Sequence, residues 1–330
     1  MTYTSGQLIQ ATDYNGFAAN TANANVNDVW GVGATDKGWG QSTTLSTVSA
    51  AGTITATQWA TLVNTIASLA SQTGVAITSR SAPTAAQTIA VLAAVNTDLT
   101  NLTTYRGNAA AVGSQYTSWS GTSSKTSATG SGSDAWTITF THTVTWADAA
   151  SARYFFNAGG QIKWQTSKTS TGQLADAEWN DLATTLCGAI WITGRVNSAA
   201  QSIAGTSYTG TTKIGGTGTP TTLATTTGWY QLLTTDTTIY KQFADTSPYT
   251  GQYIQINAKT AGSGTQLVLT TTWVDPGGSA VGSADNITGG TALSGTTFGT
   301  APATLVTYYP PSTTYLTNTW GTPTVAATVA

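Results

Sequence analysis

The chain has 330 residues, with 11 Lys+Arg against 13 Asp+Glu, one His and one Cys. Charged residues make up 7% of it, where an ordinary soluble domain carries about 25%. A net charge of −2 with isolated basic residues excludes an electrostatic footprint for nucleic acid or an acidic membrane surface. A single Cys excludes an internal disulfide and a Cys-based zinc site.

No apolar run approaches the roughly 18 residues that span a bilayer, and the opening MTYTSGQLIQ lacks the basic and apolar regions of a secretion signal. Twelve Trp, 13 Tyr and 6 Phe argue against disorder. Solubility must rest on Thr, Ser, Asn, Gln and Gly. Such a surface has little colloidal repulsion and favours self-association.

Residues 1–115 read as a mostly helical N-terminal unit. Thr55 and Gln58 have capping-box spacing. Trp59, Leu62, Val63, Ile66, Leu69 and Ala70 follow as one apolar stripe, and Gly74 stands where a left-handed C-terminal residue belongs. A second helix is expected after Pro83, with Thr84 and Gln87 repeating the cap and Ile89, Leu92, Val95, Leu99 and Leu102 as its buried face. The two helices suggest an antiparallel hairpin.

Residues 117–134 are Ser/Thr/Gly-rich and read as a linker or long loop. In WTITFTHTVTW the period becomes 2: Trp136, Ile138, Phe140, His142, Val144 and Trp146 face one way and threonines the other. Further strands are expected at 153–157, 161–167, 188–196, 229–243, 252–260, 265–274 and 304–309. The 252–260 and 265–274 pair has the look of a hairpin, and Pro310-Pro311 should end the 304–309 strand.

Gly52–Ile66 aligns without gaps with Gly172–Leu186, sharing Gly, Trp, Leu and Thr at identical offsets. A helix is therefore expected near 175–187 inside the 116–330 body. The fold class expected is α+β, mainly β: an antiparallel β-sandwich body with a helical N-terminal unit.

Several segments also resemble virion structural proteins of tailed marine bacteriophages. They are Leu8–Asn15, Val26–Gly31, Gly38–Gln41, the Ile54–Leu62 element ITATQWATL, and Ser151–Ile162, SARYFFNAGGQI. The resemblance covers roughly residues 6–190. One departure is the uncharged Asn64–Gln72 stretch, where those proteins carry a more basic, His-containing one. The resemblance implies a particle component from the tail, neck or fibre region, with no catalytic residues to carry over. It also implies assembly in a host cytoplasm and other virion proteins as partners.

Little in the chain suggests chemistry. His142 should lie in or beside the core with a hydrogen-bond partner. Glu178, the sole Glu, takes the capping-box position before Trp179, and Asp176 and Asp181 should serve the helix dipole and solvent face. Asp275-Pro-Gly-Gly reads as a turn, and Cys187 as a small buried residue. The expectation is a non-enzyme without cofactor or metal.

Interface candidates remain. Arg153 is either a contact group or a bridge to Asp148. Phe155 and Phe156, on a strand, would face opposite ways, leaving Phe156 for a partner or an overlying helix. Tyr308, Tyr309, Tyr315 and Trp320 cluster around Pro310-Pro311, either as an exposed patch for host glycan or a neighbouring subunit, or packed in the sandwich. The main expectation is a self-assembling virion component. The alternatives are a glycan-binding fibre or adhesin module and a Thr-rich cell-surface-layer protein.

Overall fold

The computed structural model describes residues 10–18, 25–32, 37–42, 45–85, 92–109, 119–124, 136–170, 174–195, 200–203, 205–276 and 302–330. Four helices come first: α1 (Ala11–Ala18), α2 (Val26–Val29), α3 (Ala56–Thr73) and α4 (Leu92–Thr104). The cap of α3 is reciprocal. Thr55 Oγ1 accepts from Gln58 N at 3.2 Å, and Gln58 Oε1 accepts from Thr55 N at 2.8 Å. Gly74 ends the helix at φ +68°, a conformation that a Cβ would disfavour.

The α3 stripe is buried at Trp59, Leu62, Ile66, Leu69 and Ala70, while Val63 is half-buried. Tyr14 of α1 meets Trp59 edge-on, with centroids 5.6 Å apart. On α4, Val95, Leu99 and Leu102 are buried as expected. The start proposed for that helix, at Gln87 and Ile89, lies outside the described residues.

Thirteen strands follow among the described residues: β1 (Trp119–Ser124), β2 (Trp136–Thr145), β3 (Gln161–Ser167), β4 (Ala189–Ile192), β5 (Gln201–Ile203), β6 (Thr206–Tyr208), β7 (Thr211–Ile214), β8 (Thr222–Leu223), β9 (Thr237–Phe243), β10 (Tyr253–Ala261), β11 (Gln266–Asp275), β12 (Ala303–Tyr309) and β13 (Thr324–Val329). One antiparallel sheet runs β1-β12-β3-β4-β7, a second runs β13-β2-β11-β10-β9-β8, and β5-β6 is a separate hairpin.

The two large sheets face each other across one core. Trp164 of β3 donates its indole N–H to Thr271 Oγ1 of β11 at 2.8 Å, and its ring lies 6.1 Å from that of Tyr240 on β9. Strand β1 lies alongside β13, and β7 alongside β8, so the sheet edges adjoin. The fold is thus α+β with an antiparallel sandwich and a helical N-terminal part. Among the described residues no helix is long and apolar enough to cross a membrane.

Two expected elements are corrected. Residues 153–157 are not a strand but the end of helix α5 (Ala149–Asn157). Asp148 caps it, accepting from Ser151 N at 2.7 Å, and this bond holds the Asp148 carboxyl below its usual range. Ala152, Phe155 and Phe156 sit at i, i+3 and i+4, so both phenylalanines enter the same core rather than opposite faces. Asn157–Gly160 accordingly joins a helix to β3, not two strands.

The second correction concerns the segment read as a linker. Its Trp119–Ser124 portion is strand β1, paired in register with β12 from Trp119↔Tyr308 to Ser124↔Ala303. Threonine and serine suit a strand as readily as a loop once a partner edge is available. Residues 125–134 of that segment lie outside the described residues.

The expected 229–243 strand is shorter: Trp229–Gln231 forms a 3-10 turn and only Thr237–Phe243 is strand. The internal repeat does mark a helix, α6 (Leu174–Asn180), which continues into a wider π turn over Asp181–Leu186. Trp179 is buried like its counterpart Trp59.

Buried hydrophobic residues are continuous from the N-terminal helices into the sandwich. Polar contacts tie the two together: Gln72 Nε2 donates to Ala158 O at 3.2 Å, Asn157 Nδ2 to Gly38 O at 2.9 Å, and Gln41 both donates to Thr317 O and accepts from Thr317 N.

Candidate functional site

The expected interface residues scatter. Phe156 is fully buried, stacked on Trp229 with centroids 5.2 Å apart, and Trp320 is 1% exposed. Tyr308 is buried too, its ring 6.4 Å from Phe155. These three are core residues and are removed from the contact set. In β12, Tyr308 pairs with Ile162 on the inner face, so the alternation of a strand sends Tyr309, opposite Gln161, outward. Arg153, half-buried on α5, holds its guanidinium 5.0 Å from the Tyr154 ring centroid. Tyr315 is 41% exposed, and no surface cluster forms around Pro310-Pro311 from these four aromatics.

Tyr309 instead joins a group that sequence reasoning missed. Its ring lies 5.1 Å from Trp191 of β4, which lies 5.9 Å from Tyr208 of β6. Lys163 of β3, register partner of Trp191, places Nζ 5.4 Å from the indole centroid. Partial burial pushes the Lys163 ammonium below its usual range. Trp191 and Tyr309 keep part of their surface exposed. Flat rings flanked by a cation can stack a sugar face or a partner's side chain. The signal was the central Trp in Ala189-Ile-Trp-Ile192, outward where its neighbours are inward.

A broader surface lies on the other sheet. The outward positions of β2 are Thr137, Thr139, Thr141, Thr143 and Thr145; those beside them on β11 are Gln266, Val268, Thr270, Thr272 and Val274; on β13 they are Thr324, Ala326 and Thr328. None carries a charge. Lys259 of β10 borders this face directly, opposite Val268 and paired with Asp236 at 3.4 Å, and Lys241 lies one strand further out on β9.

The third arrangement is acidic. Glu178 of α6, Asp181 at the start of the π turn and Asp245 after β9 each bring one carboxylate oxygen to within 4.8 Å of the others. Glu178 is 5% exposed. Burial pushes its carboxyl above the usual range; hydrogen bonds from the Thr246 side chain and backbone pull it back, and Asp181 and Asp245 push it further up.

The capping role expected of Glu178 is therefore corrected. Ala175 occupies the place Thr55 has in α3, the helix begins at Leu174, and Glu178 lies in its interior. Asp176 is not on a solvent face either: it is fully buried in an ion pair with Lys168. Asp181 remains half-exposed.

No protein-family model, curated protein or solved structure matches this chain. The side chains themselves must then indicate the chemistry. His142 is fully buried on the inner face of β2. Cys187 is buried as expected; desolvation pushes its thiol to about 12, which keeps it protonated and unreactive at neutral pH. Of the three arrangements, the threonine face and the aromatic group offer contact surfaces, and the carboxylates offer oxygen ligands.

Proposed function

We propose that this chain is a non-enzymatic structural subunit of a tailed-phage virion, from the tail, neck or fibre region, which assembles with copies of itself and other virion proteins. The observation that carries the reading is the uncharged threonine face spanning β13, β2 and β11. A face without charges buries no unpaired ions when another subunit covers it, so desolvation costs little. Its hydroxyls remain available for hydrogen bonds across an interface. The resemblance of ITATQWATL and SARYFFNAGGQI to virion proteins supports the same reading; in this fold the first contributes Trp59 and Leu62 to the core, and the second is buried except for half-buried Arg153 and Tyr154.

Sedimentation velocity at low and high salt tests it. Association through an uncharged face persists from about 0.05 to 1 M salt, because screening acts on charges. Dissociation by high salt would refute it. Substituting Thr141 and Thr270 with Lys, at exposed-side register partners, should abolish association while leaving the folded circular-dichroism spectrum intact.

A second reading is favoured by the part-exposed Trp191 and Tyr309 rings, which buried Tyr208 backs from below: contact with a host-surface glycan. Glycan-array binding abolished by Trp191→Ala would support it. Absence of any array signal from an assembled sample would refute it.

A further inference from the structure

We propose that Glu178, Asp181 and Asp245 form a divalent-cation site whose natural ligand is Ca2+. Two separate stretches of chain build it: Glu178 and Asp181 stand three residues apart, on neighbouring turns of the α6 and π-turn segment, and Asp245 comes from the connection after β9. The three oxygens lie within 4.8 Å of one another, so each is at most about 2.8 Å from a common point, and a few tenths of an ångström of side-chain movement brings all three to Ca–O distances of about 2.3–2.6 Å.

A second observation points the same way. Glu178 is 95% buried by its 5% exposure, and although Thr246 donates to its carboxylate, Oε1 is sequestered from solvent with no hydrogen-bond partner. A buried carboxylate oxygen left without a donor is costly. No Lys or Arg among the described residues pairs with these three acids. A bound cation would supply the missing partner.

The donor set fixes the class of ion. All three groups are hard oxygen donors, which favours Ca2+ over Zn2+. Asp181 is half-exposed and Asp245 exposed, which leaves room for the waters that complete a six- to eightfold shell. The ion would then clamp α6 to the β9–β10 connection.

The test is calorimetric titration of the full chain, freed of metal by chelating resin, with CaCl2 to about 10 mM, beyond the weakest extracellular calcium modules. The expected result is one saturable event per chain with a dissociation constant of about 10⁻⁵–10⁻³ M and a Tm that rises with Ca2+. Glu178→Gln and Asp245→Asn should each weaken binding at least about tenfold, the loss expected when a charged ligand is removed. Asp245 is exposed, so its variant folds even if the Glu178 variant does not. No heat and no Tm shift would overturn the proposal, because a proton shared among the carboxylates would then be what neutralises them. So would binding that both variants leave unchanged.

Discussion

The Lys168–Asp176 ion pair sits where water cannot help it. Lys168 and Asp176 side chains are 1% and 0% exposed, and Lys168 Nζ also donates to Thr169 O at 3.1 Å. Asp176→Asn removes the anion while keeping the volume, leaving an ammonium in the core without its counter-charge. Breaking one side of a buried pair costs about 3–5 kcal/mol. The loss should depend on pH in a defined direction. Desolvation already holds the Lys168 ammonium below 10.5, and hydrogen bonding and attraction from Asp176 pull it back up. Without Asp176 the folded-state value falls further.

Between that lowered value and 10.5 the unfolded chain binds the extra proton, so stability rises with pH across the window. Urea denaturation at pH 7 and pH 9.5 measures this: the deficit of Asp176→Asn against wild type should shrink at the higher pH. The double variant Lys168→Met/Asp176→Leu should recover most of the loss, since an apolar pair of similar volume is often neutral or better. A deficit below about 1 kcal/mol, the range of exposed pairs, would refute the reasoning. So would a deficit that grows with pH.

Further expectations follow from the same packing. Thr271→Val leaves the Trp164 indole N–H without its acceptor between the sheets and should cost about 1–3 kcal/mol in urea denaturation; Trp164→Phe/Thr271→Val, which removes donor and acceptor together, loses no further hydrogen bond. Phe156→Ala, at 0% exposure, should cost about 3–5 kcal/mol and lower Tm, whereas an interface role would weaken association and spare the monomer. In chelator, Glu178 should make the protein less stable as pH rises above its ordinary value of 4.5. The raised folded-state value means the native chain holds the proton more tightly, so stability is lost through that window and Glu178→Gln flattens the profile.

What the sequence disclosed was what local rules control. The Thr55/Gln58 cap, the α3 stripe, the Gly74 terminus and the strict alternation of β2 each follow from neighbours a few residues away. Helix α5 is also set locally: Asp148 followed by Ala149 and Ala150 is a helix start, and Ala152, Phe155 and Phe156 have helical spacing, although two adjacent phenylalanines look like strand. Strand β1 is different. Its Ser/Thr/Gly composition gives no preference, and pairing with β12, more than 170 residues downstream by the Ser124↔Ala303 register, decides its form. Strands β5 to β8 hold two to four residues each, too few for periodicity to register.

The candidate sites were less legible for the same reason. Tyr309 was named, but its neighbours Trp191, Tyr208 and Lys163 come from three other strands, and only the sheet register brings them together. Asp245 reaches Glu178 and Asp181 from more than 60 residues away in sequence. Aromatic residues near Pro310-Pro311 leave a surface patch and packing in the sandwich equally open, because composition does not reveal which way a side chain points. Alternation along β12 puts Tyr308 inside and Tyr309 outside.

The most direct test of an assembling virion subunit is the solution mass of the full chain by light scattering, with negative-stain images of the same peak. The expected result is a defined multiple of the 33.7 kDa chain that holds at high salt: an elongated trimer if it forms a fibre, or a ring or filament if it belongs to neck or tail. A stable, compact monomer at every concentration and salt would contradict it.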